Sequence, residues 1–250
     1  MDFDSLVAPL GKDRFFASYK KGACILIHGQ RDRFEGLITL EEIELRVNDG
    51  CNILSPLQIT GGGKRDSLLD QNLPWSPQAM RKTEVLKLIQ NRHSFMMTNM
   101  SQINPRVAHL VDSIEAAFAD EDMRADVHVY VSPRGAASGY NAHRDIPQHK
   151  LYLQVIGSTQ WQVFDQISDI PGDVRAVPEA QEIKFLKLAR EFELEPGDAF
   201  YMPPAIFHKV RNTEGPRVSL SIPFTPMTKP DMTRMDRTFI PFKKIFQSEE

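Results

Sequence analysis

His143 and Asp145 stand two residues apart in SGYNAHRDIPQHKLYLQV. On an extended chain residues i and i+2 face the same side, so this imidazole and this carboxylate can reach one metal ion. A third ligand comes from LEPGDAFYMPPAIFHKV, where a Pro196-Gly197-Asp198 turn, a short strand and a proline-bounded bend lead to His208. Two imidazoles and one carboxylate on one face of a metal leave positions open, the facial triad of non-haem iron(II) oxygenases. Open positions admit a chelating co-substrate with dioxygen beside it. With seven histidines in the chain, an H-x-D triplet alone is equally a surface histidine beside a turn aspartate. The turn, strand, proline and histidine downstream, in a strand-rich half, favour the metal.

The elements that must position these residues change in kind along the chain. Phe15, Phe16 and Tyr19 have helical spacing, ACILIHG reads as a buried strand, and LITLEEIELRV begins with a Thr39/Glu42 capping box. CNILSPLQIT reads as a strand weakened by Pro56, residues 61–82 as a long loop or lid, TEVLKLIQNRH as a helix and SFMMTNM as a strand. NPRVAHLVDSIEAAFAD is the clearest helix, with Pro105 in its first turn and Val107, Leu110, Val111, Ile114 and Phe118 as its stripe. Beyond residue 125, ADVHVYVSP, HKLYLQVIG, TQWQVFD, EIKFLKLA, AFYMP and RVSLSIPF read as closely spaced strands, the pattern of a sandwich or barrel. Within them Lys150, Tyr152 and Gln154 alternate with Leu151, Leu153 and Val155, and Arg217, Ser219 and Ser221 alternate with Val218 and Leu220. Such alternation fits a sheet with one wet face, and equally a barrel around a polar ligand. Residues 1–122 are expected to form a helix and strand lobe, 123–226 a β-core and 227–250 a tail, all one integrated domain.

VHVYVSP, the H-R-D at 143–145, LQVIGSTQW with Gln154, Gly157 and Trp161, LEPGDAFYMPPAIFH and VSLSIPF together resemble the JmjC/cupin-like 2-oxoglutarate-dependent oxygenases, in particular their bacterial ribosomal-oxygenase-like branch. The resemblance covers most of residues 94–224. It implies an α+β, mainly β fold: a double-stranded β-helix (jelly roll, cupin-like) with flanking N-terminal helices. The family's iron(II) ligands map onto His143, Asp145 and His208. 2-Oxoglutarate is the implied cosubstrate and dioxygen the oxidant. Many members carry Lys or Arg two residues after the glycine of the Q-x-x-G segment, to pair with the distal carboxylate of 2-oxoglutarate. Thr159 stands there in this chain. A buried dicarboxylate needs a cation. Arg217, with Ser219 in an Arg-x-Ser that resembles other branches of these oxygenases, is the first replacement because its planar fork suits a carboxylate. Lys150 is the second, and a surface charge is the ordinary alternative for both. Tyr130, Tyr140 and Tyr152 can donate to the cosubstrate or pack in the wall. Trp161 reads as a structural cap at a strand end. The sequence ends about 26 residues after RVSLSIPF, so the further C-terminal module of the ribosomal-oxygenase branch is expected to be missing.

A net charge of −3 over 250 residues offers no excess of cations for a phosphate backbone, so nucleic acid is not an expected partner. Cys24 and Cys51 make neither a disulfide framework nor a zinc motif. Neither a signal peptide nor a membrane span is recognisable, and a cytoplasmic location is expected. GGGKRD is no phosphate loop, because Arg65 stands where Ser or Thr would bind magnesium. The expected activity is hydroxylation of a C–H bond in an amino acid, small peptide or biosynthetic intermediate, with a small-molecule or peptide substrate as partner. The alternatives are a protein side-chain hydroxylase or demethylase, and a metal-cupin binding or sensing protein without 2-oxoglutarate turnover.

Overall fold

A computed structural model describes residues 1–49, 57–61, 64–66, 87, 90–136, 140–170, 175–213 and 215–227. Its helices are α1 (Phe3–Val7), α2 (Lys12–Tyr19), α3 (Leu40–Asp49), α4 (Pro105–Ala117) and α5 (Glu182–Phe185). The strands are β1 (Ile25–Ile27), β2 (Leu57–Gly61), β3 (Lys64–Asp66), β4 (Ser94–Met97), β5 (Met123–Ala125), β6 (His128–Ser132), β7 (His149–Ile156), β8 (Thr159–Gln166), β9 (Leu186–Leu194), β10 (Ala199–Met202), β11 (Phe207–Asn212) and β12 (Arg217–Pro226). The large sheet runs β1-β10-β7-β12-β6-β4-β2-β3, with β5 also on β12, and the small one runs β11-β8-β9. Every pairing between these strands is antiparallel.

The N-terminal helices form because their ends are capped and one face is apolar. Asn104 Oδ1 accepts from the backbone N–H of Arg106 and Val107, and Pro105 fits the first turn, where no donor is needed. The stripe Val107, Leu110, Val111 and Ile114 is fully buried, each side chain worth about 1.5–3 kcal/mol over exposure. At α3 the box is reciprocal: Thr39 N–H donates to Glu42 Oε2 at 2.9 Å and Glu42 N–H to Thr39 Oγ1 at 3.2 Å. The stripe of α4 meets Leu151, Leu153, Leu220, Ile222 and Phe224 of the large sheet, together with Phe3, Phe15 and Phe118, in one core.

The other face of β7 looks into the space between the sheets. Tyr152 packs there with Trp161, Val163, Leu194, Phe200 and Met202. The alternation in β7 and β12 therefore belongs to a barrel-like interior whose polar side chains include Lys150, Gln154, Arg217, Ser219 and Ser221. This is the expected double-stranded β-helix with flanking helices.

Two glycines permit the turns beneath it. Gly197 (φ +90°) lets the Pro196-Gly197-Asp198 turn approach Gln30, and Gly157 (φ +64°) lets the β7–β8 turn approach Pro216. A Cβ on Gly157 would lie 2.0 Å from Pro216 O, so no other residue fits without a backbone shift.

Two local expectations change. EIKF is a helical turn, not the start of a strand: Glu182 and Phe185, three apart, turn inward while Ile183 is 87% exposed, a helical spacing. Lys64–Asp66, within the expected loop, pairs with β2. Residues 62–63 and 67–82 of that loop, residues 51–56 of the expected strand CNILSPLQIT with its Pro56, most of TEVLKLIQNRH and residues 228–250 lie outside the described residues, although Lys87 O accepts from Asn91 N–H in a helical turn. Among the described residues no helix is long and apolar enough to cross a membrane.

Candidate metal centre and cosubstrate cavity

His143 lies in the segment between β6 and β7, and His208 is the second residue of β11. The two residues are backbone partners across an isolated antiparallel bridge, which brings their rings to 4.2 Å between centroids. Asp145 is held beside them by Ala205 N–H, which donates to Asp145 O at 2.8 Å. One ligand atom from each of His143, Asp145 and His208 lies within 4.8 Å of the others.

The hydrogen bonds aim these atoms. His143 Nδ1 donates to Asn141 O at 2.9 Å and His208 Nδ1 to Ile206 O at 3.1 Å, which leaves each Nε2 lone pair for a metal. Burial holds His143 below the usual imidazole range. Burial, then the His143 charge, pushes His208 down to about 3. Both rings are thus neutral, the ligating form. Burial pushes the Asp145 carboxyl up, but Lys150, His208 and His143 outweigh it, so the group is a carboxylate. Asp145 Oδ2 is buried and makes no aligned hydrogen bond, although Lys150 Nζ is 3.1 Å away as an ion pair. A buried carboxylate oxygen beside two imidazole nitrogens fits a divalent metal ion of the two-histidine, one-carboxylate kind.

Trp161 stacks on His208 at 5.7 Å and 15°, with Phe192 on its own parallel face at 6.3 Å, so it walls the centre and does more than cap a strand. Tyr140 lies 5.4 Å from the His143 ring, and Tyr152 Oη is 3.5 Å from His208 Nε2.

Above these rings is a cavity of about 50 Å3, lined by Tyr130, Tyr140, Tyr152, Gln154, Thr159 and Arg217 among others. Its wall is tied to Gln154, which is fully buried. Gln154 Nε2 donates to Ile156 O and Gly157 O, and Gln154 Oε1 accepts from Ser219 Oγ at 2.8 Å and Thr159 Oγ1 at 3.2 Å. Trp161 Nε1 in turn donates to Thr159 Oγ1 at 3.0 Å. Thr159 and Ser219 thus shape the wall through Gln154.

Arg217 brings the charge. Its Nη1 donates to Asn212 Oδ1 at 2.9 Å, its guanidinium lies 5.7 Å from the Tyr130 ring centre, and its Nε is buried without a hydrogen bond. Burial lowers its pKa to about 10, against the opposing pull of the surrounding phenols, so it remains a cation at neutral pH. Among the described residues no carboxylate pairs with it. Lys150 is not in this lining, and its ammonium pairs with Asp145. The sequence reading did not single out Asn212 as a partner of Arg217 or the joint role of Gln154. Neither carries a motif signal beyond the Q-x-x-G segment itself.

Comparison with known proteins places the site in context. A model of the JmjC domain matches residues 96–232, more than half of the chain. A search of curated proteins gave no significant match. Among solved structures, YcfD of Escherichia coli aligns with a TM-score of 0.58 at 14% identity over 94% of this chain and 65% of that one. YcfD, described as a ribosomal oxygenase, in complex with cobalt and 2-oxoglutarate aligns with a TM-score of 0.54 at 15% identity, over 92% of this chain and 63% of that one. At such identity the likeness is one of fold, and this chain spans under two thirds of the length of that protein. The family model and the double-stranded β-helix agree with the resemblance read from the H-R-D and PGD segments: the chain belongs to the JmjC-domain family.

Proposed function

We propose that this protein is an iron(II)- and 2-oxoglutarate-dependent oxygenase that hydroxylates a C–H bond. One observation supports the reading: His143 and His208 of the cluster with Asp145 line the same cavity as Arg217, a cation with no carboxylate partner among the described residues. A metal-binding end and a carboxylate-binding end face one space, as a chelating keto acid with a distal carboxylate requires.

When bound, iron(II) would supply the activation of dioxygen, the oxidant: 2-oxoglutarate would give up two electrons and become succinate, which takes one oxygen atom, and carbon dioxide, and the second oxygen atom would go into the substrate C–H bond. The chain's own residues do the positioning. His143, Asp145 and His208 hold the metal on one face. Lys150 keeps the Asp145 carboxylate oriented and charged. Arg217 takes the distal carboxylate in a bidentate fork, stiffened by Asn212 and Tyr130. Gln154, with Ser219 and Thr159, keeps the wall between them in place without spending a charge. Trp161 and Tyr152 exclude water from the His208 side.

The substrate is an amino acid, small peptide or biosynthetic intermediate. A second reading, a protein side chain, is favoured by the structural likeness to a ribosomal oxygenase. A mass-spectrometric screen of free amino acids, peptides and ribosomal proteins for a +16 product tests both. Calorimetric binding of 2-oxoglutarate to the manganese(II)-loaded protein tests the site itself. Metal-dependent binding is expected, and binding that ignores the metal contradicts the reading.

A further inference from the structure

The segment 175–186, between β8 and β9, does not line the cavity, yet it is joined to both ligand-bearing segments. Val177 N–H donates to Ala142 O and Arg144 N–H to Arg175 O, each at 2.8 Å. On its opposite edge the 142–145 stretch pairs with 205–208. His143 therefore carries an isolated antiparallel bridge on each side, to Ala176 and to His208. Ala142, Val177, Phe185, Leu186 and Phe207 fill the apolar space behind it.

Into this packing the chain places an ion pair. Lys209 follows His208 on β11, so its side chain leaves the opposite face of the strand. It is only 4% exposed. Its Nζ donates to Glu182 Oε1 at 3.1 Å and Oε2 at 3.2 Å, and to the exposed Glu179 Oε1 at 2.8 Å. Glu182 Oε1 also accepts from Ala142 N–H, at 3.3 Å. One carboxylate thus binds the backbone N–H of the residue before His143 and the side chain of the residue after His208. An apolar pair would pack there as well and often as stably, so directional bonding is what the charges add.

We propose that Glu182 and Lys209 are positioning residues of the metal centre, which fix the spacing of the His143 and His208 imidazoles before any metal is bound. The inference rests on the metal reading of the triad. Its test is a cobalt(II) titration of the apoprotein, followed by visible absorption and by competition with a chelating dye. Loss of outer partners of metal ligands commonly lowers affinity by ten- to a hundredfold. Glu182→Ala is expected to weaken cobalt(II) binding about tenfold, near the lower end of that range, and to alter the shape of the absorption band. Glu182→Gln keeps an acceptor oxygen for Ala142 N–H and Lys209 Nζ but gives up the bond at Oε2, and is expected to restore part of the affinity and of the band. Lys209→Met keeps the stem and its packing, and serves if the alanine variant does not fold. Its binding is expected to weaken in the same direction. Wild-type affinity and spectrum in the variants, even with a lowered melting temperature, would make the pair a structural brace and overturn the proposal. A wild-type protein that takes up no cobalt(II) would instead overturn the metal reading, and the proposal with it.

Discussion

His143 N–H donates to His208 O at 2.9 Å and His208 N–H to His143 O at 2.8 Å. The two imidazoles that face each other at the candidate metal centre thus stand on paired backbone positions. Their separation is set by an antiparallel bridge, with the Nδ1 atoms of both rings turned onto nearby carbonyls. Within the chain itself the Asp145 carboxylate has Lys150 as its charge partner.

That balance gives a stability prediction. Asp145→Ala should abolish hydroxylation and also leave the ammonium of Lys150, 7% exposed, without a partner. Breaking a buried pair from one side costs about 3 kcal/mol or more. The double variant Asp145→Ala/Lys150→Met should regain at least half of that loss. Urea unfolding of the apoproteins measures the coupling, and additive losses would mean that the pair is not a unit.

Arg217 lines the cavity and Lys150 pairs with Asp145. A charge-assisted carboxylate bond contributes about 1.5–3 kcal/mol, so Arg217→Ala should weaken 2-oxoglutarate binding roughly ten- to a hundredfold. Lys150→Ala should change it less, because its ammonium lies on Asp145 outside the cavity lining. Calorimetry on the manganese(II)-loaded variants gives the order, and the reverse order contradicts the assignment.

Gly157 and Gly36 form a matched pair for separating steric clash from backbone strain. Both have positive φ, but a Cβ on Gly36 meets nothing within 4 Å, whereas one on Gly157 meets Pro216 O at 2.0 Å. Gly36→Ala should therefore cost about 1 kcal/mol of strain and Gly157→Ala clearly more. Because Pro216 precedes Arg217 and Gly157 O accepts from Gln154, only Gly157→Ala should also weaken 2-oxoglutarate binding. Equal unfolding costs in the two variants would contradict this account.

His149 links pH to stability away from the cavity. Its Nδ1 is 2.8 Å from Tyr201 Oη, and its ring stacks on Phe224. Burial lowers its pKa below 6.5, opposed by Glu121. Below pH 6.5 the unfolded chain therefore binds a proton that the native one resists, and stability falls as pH drops toward the lower native value. His149→Gln should lessen the decline between pH 7.5 and 5.5 in urea unfolding, the depressed His143 and His208 supplying the rest. An unchanged slope would show that this imidazole contributes nothing to it.

The sequence exposed those features that repeat or recur locally. The α4 stripe, the Thr39/Glu42 box and the alternation of Lys150, Tyr152 and Gln154 follow from periodicity alone. The H-x-D and PGD segments pointed to the triad because strand geometry makes short spacings meaningful. The alternation could not tell a wet sheet face from a polar interior, since that depends on whether a second sheet, β11-β8-β9, covers it. Glu182 and Lys209 had no signal, because their contact joins residues far apart through an aperiodic segment. Trp161 read as a cap because only the fold reveals that His208 lies beneath its ring.

Turnover in the absence of a known substrate addresses the central claim most directly. Wild-type protein is mixed with iron(II), ascorbate and 2-oxoglutarate in air, and succinate is measured over time. The account predicts slow succinate formation that needs iron and is lost in Asp145→Ala and reduced in Arg217→Ala. Iron-loaded protein that neither binds 2-oxoglutarate nor forms succinate would contradict it.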